Sequence, residues 1–199
     1  RKLWLSILAD NAQIASAHVG YSASISTSHL VFPGELRNPE SIALIVDHAA
    51  ASINIDPLDS RSHLANAWAL NAVNAFQRST NAFRHAVSLN KADSWSFISA
   101  AEGVALGGEV AASAELLNVF LEHRVPLREQ HWAYLTIIRF LHEDFESAFE
   151  SSRNCPLPLN MSGAWGAAAL ALLGREDEAR DQASCFMAQA RAAWSVSTT

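Results

Sequence analysis

The sequence has only two cysteines, Cys155 and Cys185, in 199 residues, with no CxxC pair and no apolar leader behind a basic start. That excludes a disulfide framework, a zinc site built on thiolates and a redox motif, and it points to a reducing cytoplasm. Charge is scarce as well: 14 Lys+Arg stand against 20 Asp+Glu, a net charge of −6. No basic run exceeds two residues, so the clustered cations that displace counterions from nucleic acid are missing and no direct nucleic-acid contact is expected. Long apolar runs are missing too. The uncharged stretch Met161–Gly174 falls short of the ~20 residues that cross a bilayer, so no membrane span is expected. Proline is limited to six, all near boundaries: Pro33 and Pro39 flank a loop, Pro57 follows a helix, Pro126 precedes one, and Pro156 and Pro158 share a loop. Proline breaks helix interiors, so these positions map connections.

What is abundant is alanine, 36 residues in a chain that is 50% apolar. This is a helix-forming composition. A compact chain of this length buries roughly 70% of its unfolded surface and needs no metal or disulfide to be stable. Apolar residues recur at helical spacing: Leu64, Ala67, Trp68 and Ala72 share one stripe, Trp132, Leu135, Ile138 and Phe140 cluster similarly, and so do Leu170, Leu172 and Leu173. Alternating runs bounded by Asn-Gly or Asp-Gly are absent. The expectation is an all-α chain of about nine or ten helices, forming one domain or one continuous array over residues 1–199.

The pattern also repeats. Arg61–Lys91, Trp95–Arg124, Gln130–Cys155 and Met161–Gln189 each read as a helix, a short turn and a second helix. Ser79, Ser113, Ala148 and Ala179 anchor them at intervals of 34, 35 and 31 residues, close to the ~34 of a tetratricopeptide unit. The last unit carries Leu170-x-x-x-Gly174-Arg175-x-Asp177-Glu178-Ala179. The unit two before it has Gly107-Gly108-Glu109 at the corresponding turn, and the one between has Glu143-Asp144-Phe145-Glu146-Ser147-Ala148. Ser52-Ile53-Asn54-Ile55-Asp56-Pro57 and Ala86-Val87-Ser88-Leu89-Asn90-Lys91 are similar to the family's helix exit, with Lys91 departing from its proline, and Trp132 stands where the family often has Trp.

On these residues the chain resembles tetratricopeptide-repeat arrays over nearly its whole length. The resemblance implies a right-handed α-α superhelix of stacked hairpins that binds a protein or peptide partner. The first sixty residues fit less neatly: Leu3–Ala9 reads as the tail of a second helix, Ala12–Ser26 as a first helix, and Pro39–Ile55 follows a loop containing Ser26-Thr27-Ser28, Pro33-Gly34 and Arg37-Asn38. With the opening Arg1-Lys2-x-Trp4-x-x-x-Leu8-Ala9-Asp10-Asn11-Ala12, this layout is similar to arrays in the C-terminal half of bacterial regulators, behind a class III adenylate cyclase domain or a winged-helix domain. Since Arg1 rather than Met comes first, the chain is expected to be a C-terminal piece of a longer protein, with the attached N-terminal domain as one candidate partner.

Catalytic signatures are absent: there is no P-loop, GxSxG, HExxH or GxGxxG. His142-Glu143-Asp144-Phe145-Glu146 begins like a metalloprotease helix but ends in Glu where the second His is required, and Ser88-x-x-Lys91 lacks the companions of a β-lactamase site. Eight His are scattered with no pair three or four apart, so they read as surface or inter-helix residues, and the two Cys as small apolar ones. No catalytic residue, metal or cofactor is expected.

In a helical-hairpin array the first helices line the concave face. Counting from each anchor places Arg61, Leu64, Trp68 and Asn71 there, then Trp95, Ile98 and Glu102, then Gln130, Ile137 and Phe140. Trp and Arg are favoured interface types, which singles out Trp68 and Trp95, whose competing role is packing between neighbouring helices. Trp132, Trp165 and Trp194 read as core or end-cap residues. Leu64, Trp68, Ile98 and Glu102 fill the places where the family clamps a carboxylate, so an apolar helix or loop is the expected ligand. The function expected is a non-catalytic interaction or regulatory module. Two rivals remain open: a small-ligand sensor, and a homodimerisation block using Leu3, Trp4, Met187 and Trp194.

Overall fold

The computed structural model describes residues 1–28, 38–155 and 161–197, with side chains through Ala192. Pro33, Gly34, Arg37, Pro156, Pro158 and the Trp194 side chain therefore lie outside the described residues. Eleven α-helices and no strand occur among those described: α1 (Lys2–Asp10), α2 (Ala15–Ser26), α3 (Pro39–Ile55), α4 (Ser60–Ala72), α5 (Phe76–Leu89), α6 (Ser94–Leu106), α7 (Val110–Glu122), α8 (Glu129–Leu141), α9 (Phe145–Arg153), α10 (Ser162–Leu172) and α11 (Glu176–Ser197). The chain is all-α, with more helices than the nine or ten expected. The four repeated hairpins supply eight, and α1, α2 and α3 precede them.

Helix boundaries follow from local chemistry. Asn38 caps α3 by accepting the Ser41 amide at 2.8 Å, with Pro39 in the first turn, where its missing N–H costs nothing. Asp59 caps α4 by accepting the Arg61 amide at 3.0 Å and the Ser62 hydroxyl at 3.0 Å. Thirty-four residues on, Asp93 does the same for α6 with the Trp95 amide at 3.2 Å and the Ser96 hydroxyl at 2.9 Å. The exits recur too: Asp56 accepts the Leu58 amide and Asn90 the Ala92 amide.

The hairpin turns repeat at atomic detail. Asn74, Gly108, Glu143 and Gly174 all take positive φ, at 59°, 86°, 62° and 75°. Each stands five residues before one of Ser79, Ser113, Ala148 and Ala179. The next amide in each case reaches back five residues, Ala75 to Leu70, Glu109 to Val104, Asp144 to Arg139 and Arg175 to Leu170, at 2.9–3.2 Å. This left-handed turn satisfies carbonyls that the helix end would otherwise orphan. Two hairpins add a second lock: Ser79 and Ser113 donate to the carbonyls of Ala67 and Ala101, both at 2.8 Å and buried.

The described residues up to Phe120 form one compact unit and those from Leu121 onward another. In the first, Tyr21, Ile25, Ile45, Ala49, Ala65 and Ala69 make a core cluster covered by Trp4, Leu8 and Val19. Much of the interior is small: Ala67, Ala86, Ala100, Ala101, Ser62, Ser96 and Ser113 are all buried, around a few large side chains such as Phe83, Ile98 and Phe120. Helices approach closely across such residues, and at Gly103 a Cβ would strike the Phe83 ring. In the second unit, Phe140 packs edge-on against Phe145 and Trp165. There Arg175 lies over the Phe149 ring and pairs with Glu178 at 2.6 Å and Glu146 at 3.3 Å. No described helix is long and apolar enough to cross a membrane.

Candidate functional site

The groove residues expected in the first unit fall on α4 and α6, the first helices of two successive hairpins. Their environments differ sharply. Leu64 and Ile98 are buried core residues. Trp68 is half-buried, its ring edge-on to Phe83 with centroids 5.4 Å apart, and its indole N–H donates to the Ser99 hydroxyl at 2.9 Å. One turn on, the Asn71 amide donates to the Gly103 carbonyl at 3.1 Å. Arg61 reaches Asp93, the cap of α6, at 3.8 Å, with its side chain 69% exposed. These three contacts form a polar seam between α4 and α6. The donors of Trp68 and Asn71 thus serve the neighbouring helix.

Trp95 is 37% exposed. It stands two residues after the capping Asp93, as Arg61 stands two residues after Asp59. Arg61 and Trp95, both of types favoured at interfaces, therefore hold the same register of consecutive repeats, whereas Trp68, the other tryptophan singled out, packs on Phe83 and Ser99. In the second unit Gln130 is exposed in the first turn of α8, Ile137 is buried and Phe140 is half-buried against Phe145 and Trp165.

Glu102 is the exception in this set. It is 2% exposed on α6, and its Oε2 has no hydrogen-bond partner among the described residues. Burial pushes its carboxyl up to about 8, because a carboxylate loses its hydration there and gains no cation in return. Near neutral pH it is therefore mostly the acid, able to donate as well as accept. Asn71 Oδ1, on the facing helix, is likewise buried without a partner.

The sequence signal for Glu102 was its register, 34 residues after Trp68, which marks the helix face but not the depth. The histidines gave no signal at all. His18 meets His48 from thirty residues away, Nδ1 to Nδ1 at 2.9 Å, and His63 lies edge-on to His85 at 4.3 Å. Among the described residues no group of three or more His, Cys, Asp and Glu could hold a metal ion. Depressions of 400 and 310 Å³ lie along α11, lined by residues such as Ala167, Ala179 and Ala183 or Phe149, Glu178 and Gln182, and neither includes an expected groove residue. No protein-family model matches the chain, and no curated protein matches it either.

Proposed function

We propose that this chain is a non-catalytic, tetratricopeptide-like interaction module that docks a protein or peptide partner on the face carrying Arg61 and Trp95, as the regulatory part of a bacterial signalling or transcription-regulating protein. The observation that carries this reading is the shared register of these two residues. Each is the second residue after a capping aspartate, each is exposed, and their neighbours Leu64 and Ile98 are buried. A repeated scaffold that buries one position and keeps another accessible presents a preformed surface, and little ordering entropy is lost when a partner binds it. Trp and Arg are also the types that concentrate binding energy. The partner best suited is an apolar segment with an acidic group opposite Arg61, in the cytoplasm.

Photocrosslinking in cells tests the reading. A photoreactive residue in place of Trp95 should trap one discrete partner, and the same residue in place of exposed Glu115 on α7 should trap none. Equal adducts from both positions, or none from position 95, would overturn it.

A further inference from the structure

We propose that His18 and His48 form a single-proton clasp that holds α2 against α3 at neutral pH and releases it on acidification. The geometry sets the proton count. His18 Nε2 lies 3.1 Å from the Ala12 carbonyl, which can only accept, so Nε2 carries a hydrogen. With His18 neutral its Nδ1 is then a bare lone pair, and the hydrogen in the 2.9 Å contact belongs to His48 Nδ1. If His18 takes up a second proton, the direction reverses and His48 Nδ1 accepts. One proton between the rings is a hydrogen bond; two place N–H against N–H, with two positive charges on rings whose centroids are 4.9 Å apart.

Among the described residues the surroundings do not offset that second charge. Tyr21 packs on His48 with centroids 4.5 Å apart and is the only other titratable side chain of α2. On α3, Asp47 attracts a proton to His48 but is outweighed by burial and by His18, which together hold His48 below the usual imidazole range. Helix α1 brings Lys2 and Asp10, and α4 brings Arg61 and His63. Arg61 is directed at Asp93, and His63 at the Pro57 carbonyl and the His85 ring. Among the described groups, the charges that bear on His48 are those of His18 and Asp47.

In the unfolded chain both imidazoles take up protons as the pH falls through about 6.5. The closed clasp admits one, so the open form binds more protons and acid favours opening. Beneath the clasp lie Tyr21, Ile25, Ile45 and Ala49, and the buried Ser22 hydroxyl bonds the Ile45 carbonyl at 3.0 Å. Opening therefore exposes this part of the core first.

Hydrogen exchange on the full 199-residue chain, corrected for intrinsic rates, tests the clasp at about pH 7.5 and about pH 5.5. Peptides from 15–26 and 39–55 should lose protection by up to about tenfold at the lower pH, the limit for one excluded proton, while those from 94–106 do not. The variant His48→Gln should show no such selective loss. If that variant does not fold, imidazole NMR of the native chain decides instead: one ring should titrate in the folded state and the other only as the hairpin opens. Unchanged protection at the lower pH, the same loss in His48→Gln, or both rings titrating together in the closed chain would overturn the proposal.

Discussion

Glu102 lies 34 residues beyond Trp68, at the same register of a repeated first helix, yet one is a fully buried acid and the other a half-buried indole bonded to Ser99. The folded carboxyl holds its proton up to about 8, against an ordinary value of 4.5. Between those values the folded chain binds a proton that the unfolded chain has released. Its contribution is therefore least unfavourable below 4.5, and stability falls as the pH rises towards 8.

Glu102→Gln removes this slope. Near pH 7 the variant should be more stable by roughly 3 kcal/mol or somewhat less, since Gln keeps its own polar burial cost. Urea unfolding across the pH range checks it. Parallel curves for the two proteins would mean that the carboxyl is ionised and solvated.

The four left-handed turn positions are not equivalent in cost. Glycine holds Gly108 and Gly174 freely, whereas Glu143 carries a side chain at φ 62°. Glu143→Gly should raise stability by about 0.5–1 kcal/mol, and Gly108→Ala should lower it by a similar amount, although open space surrounds Gly108. Thermal melts of the two variants should move in opposite directions.

Asp93 is both the cap of α6 and the group Arg61 approaches. Asp93→Ala should cost about 1–2 kcal/mol, mostly through the lost cap. Arg61→Ala should change stability by less than about 0.5 kcal/mol, because the ion pair is long and Arg61 is exposed. Chemical denaturation compares the two directly. If both cost the same, the ion pair rather than the cap holds this junction.

Gly103 lets the Phe83 ring press against α6. Gly103→Ala should destabilise by about 1–3 kcal/mol through overpacking. Combined with Phe83→Leu, the penalties should fall short of additive, because the smaller side chain relieves the clash. A double-mutant cycle measures the shortfall, and strict additivity would place the strain elsewhere.

The helices and turns were legible because their determinants are local. Gly108 and Gly174 announce turns between helices, and Ser79, Ser113, Ala148 and Ala179 carry the repeat, whereas the caps Asp59 and Asp93 were not singled out from the sequence. Depth was less legible. Periodicity put Leu64, Trp68, Ile98 and Glu102 on one face, but which of them the next hairpin covers depends on side chains some thirty residues away, such as Ser99 for Trp68. The meeting of His18 and His48 is of the same kind, since no spacing rule joins residues on helices whose pairing is set by tertiary packing.

The interior described above, laid largely from alanine and serine, makes mutational vulnerability lopsided. Most inward positions already stop at the first side-chain atom or two, so there is little to trim at the alanines, whereas trimming Ser79 or Ser113 removes a buried hydrogen bond. Damage by deletion concentrates on the bulky buried residues, among them Tyr21, Ile25, Phe83, Phe97, Phe120, Leu135 and Leu170. At the small buried positions the hazard is enlargement, because an added methyl has to displace a packed neighbour, as it would at Gly103 against the Phe83 ring. A scan that substitutes alanine would find its weak points at those bulky positions, and a scan that substitutes valine or leucine would find them among the alanines and serines.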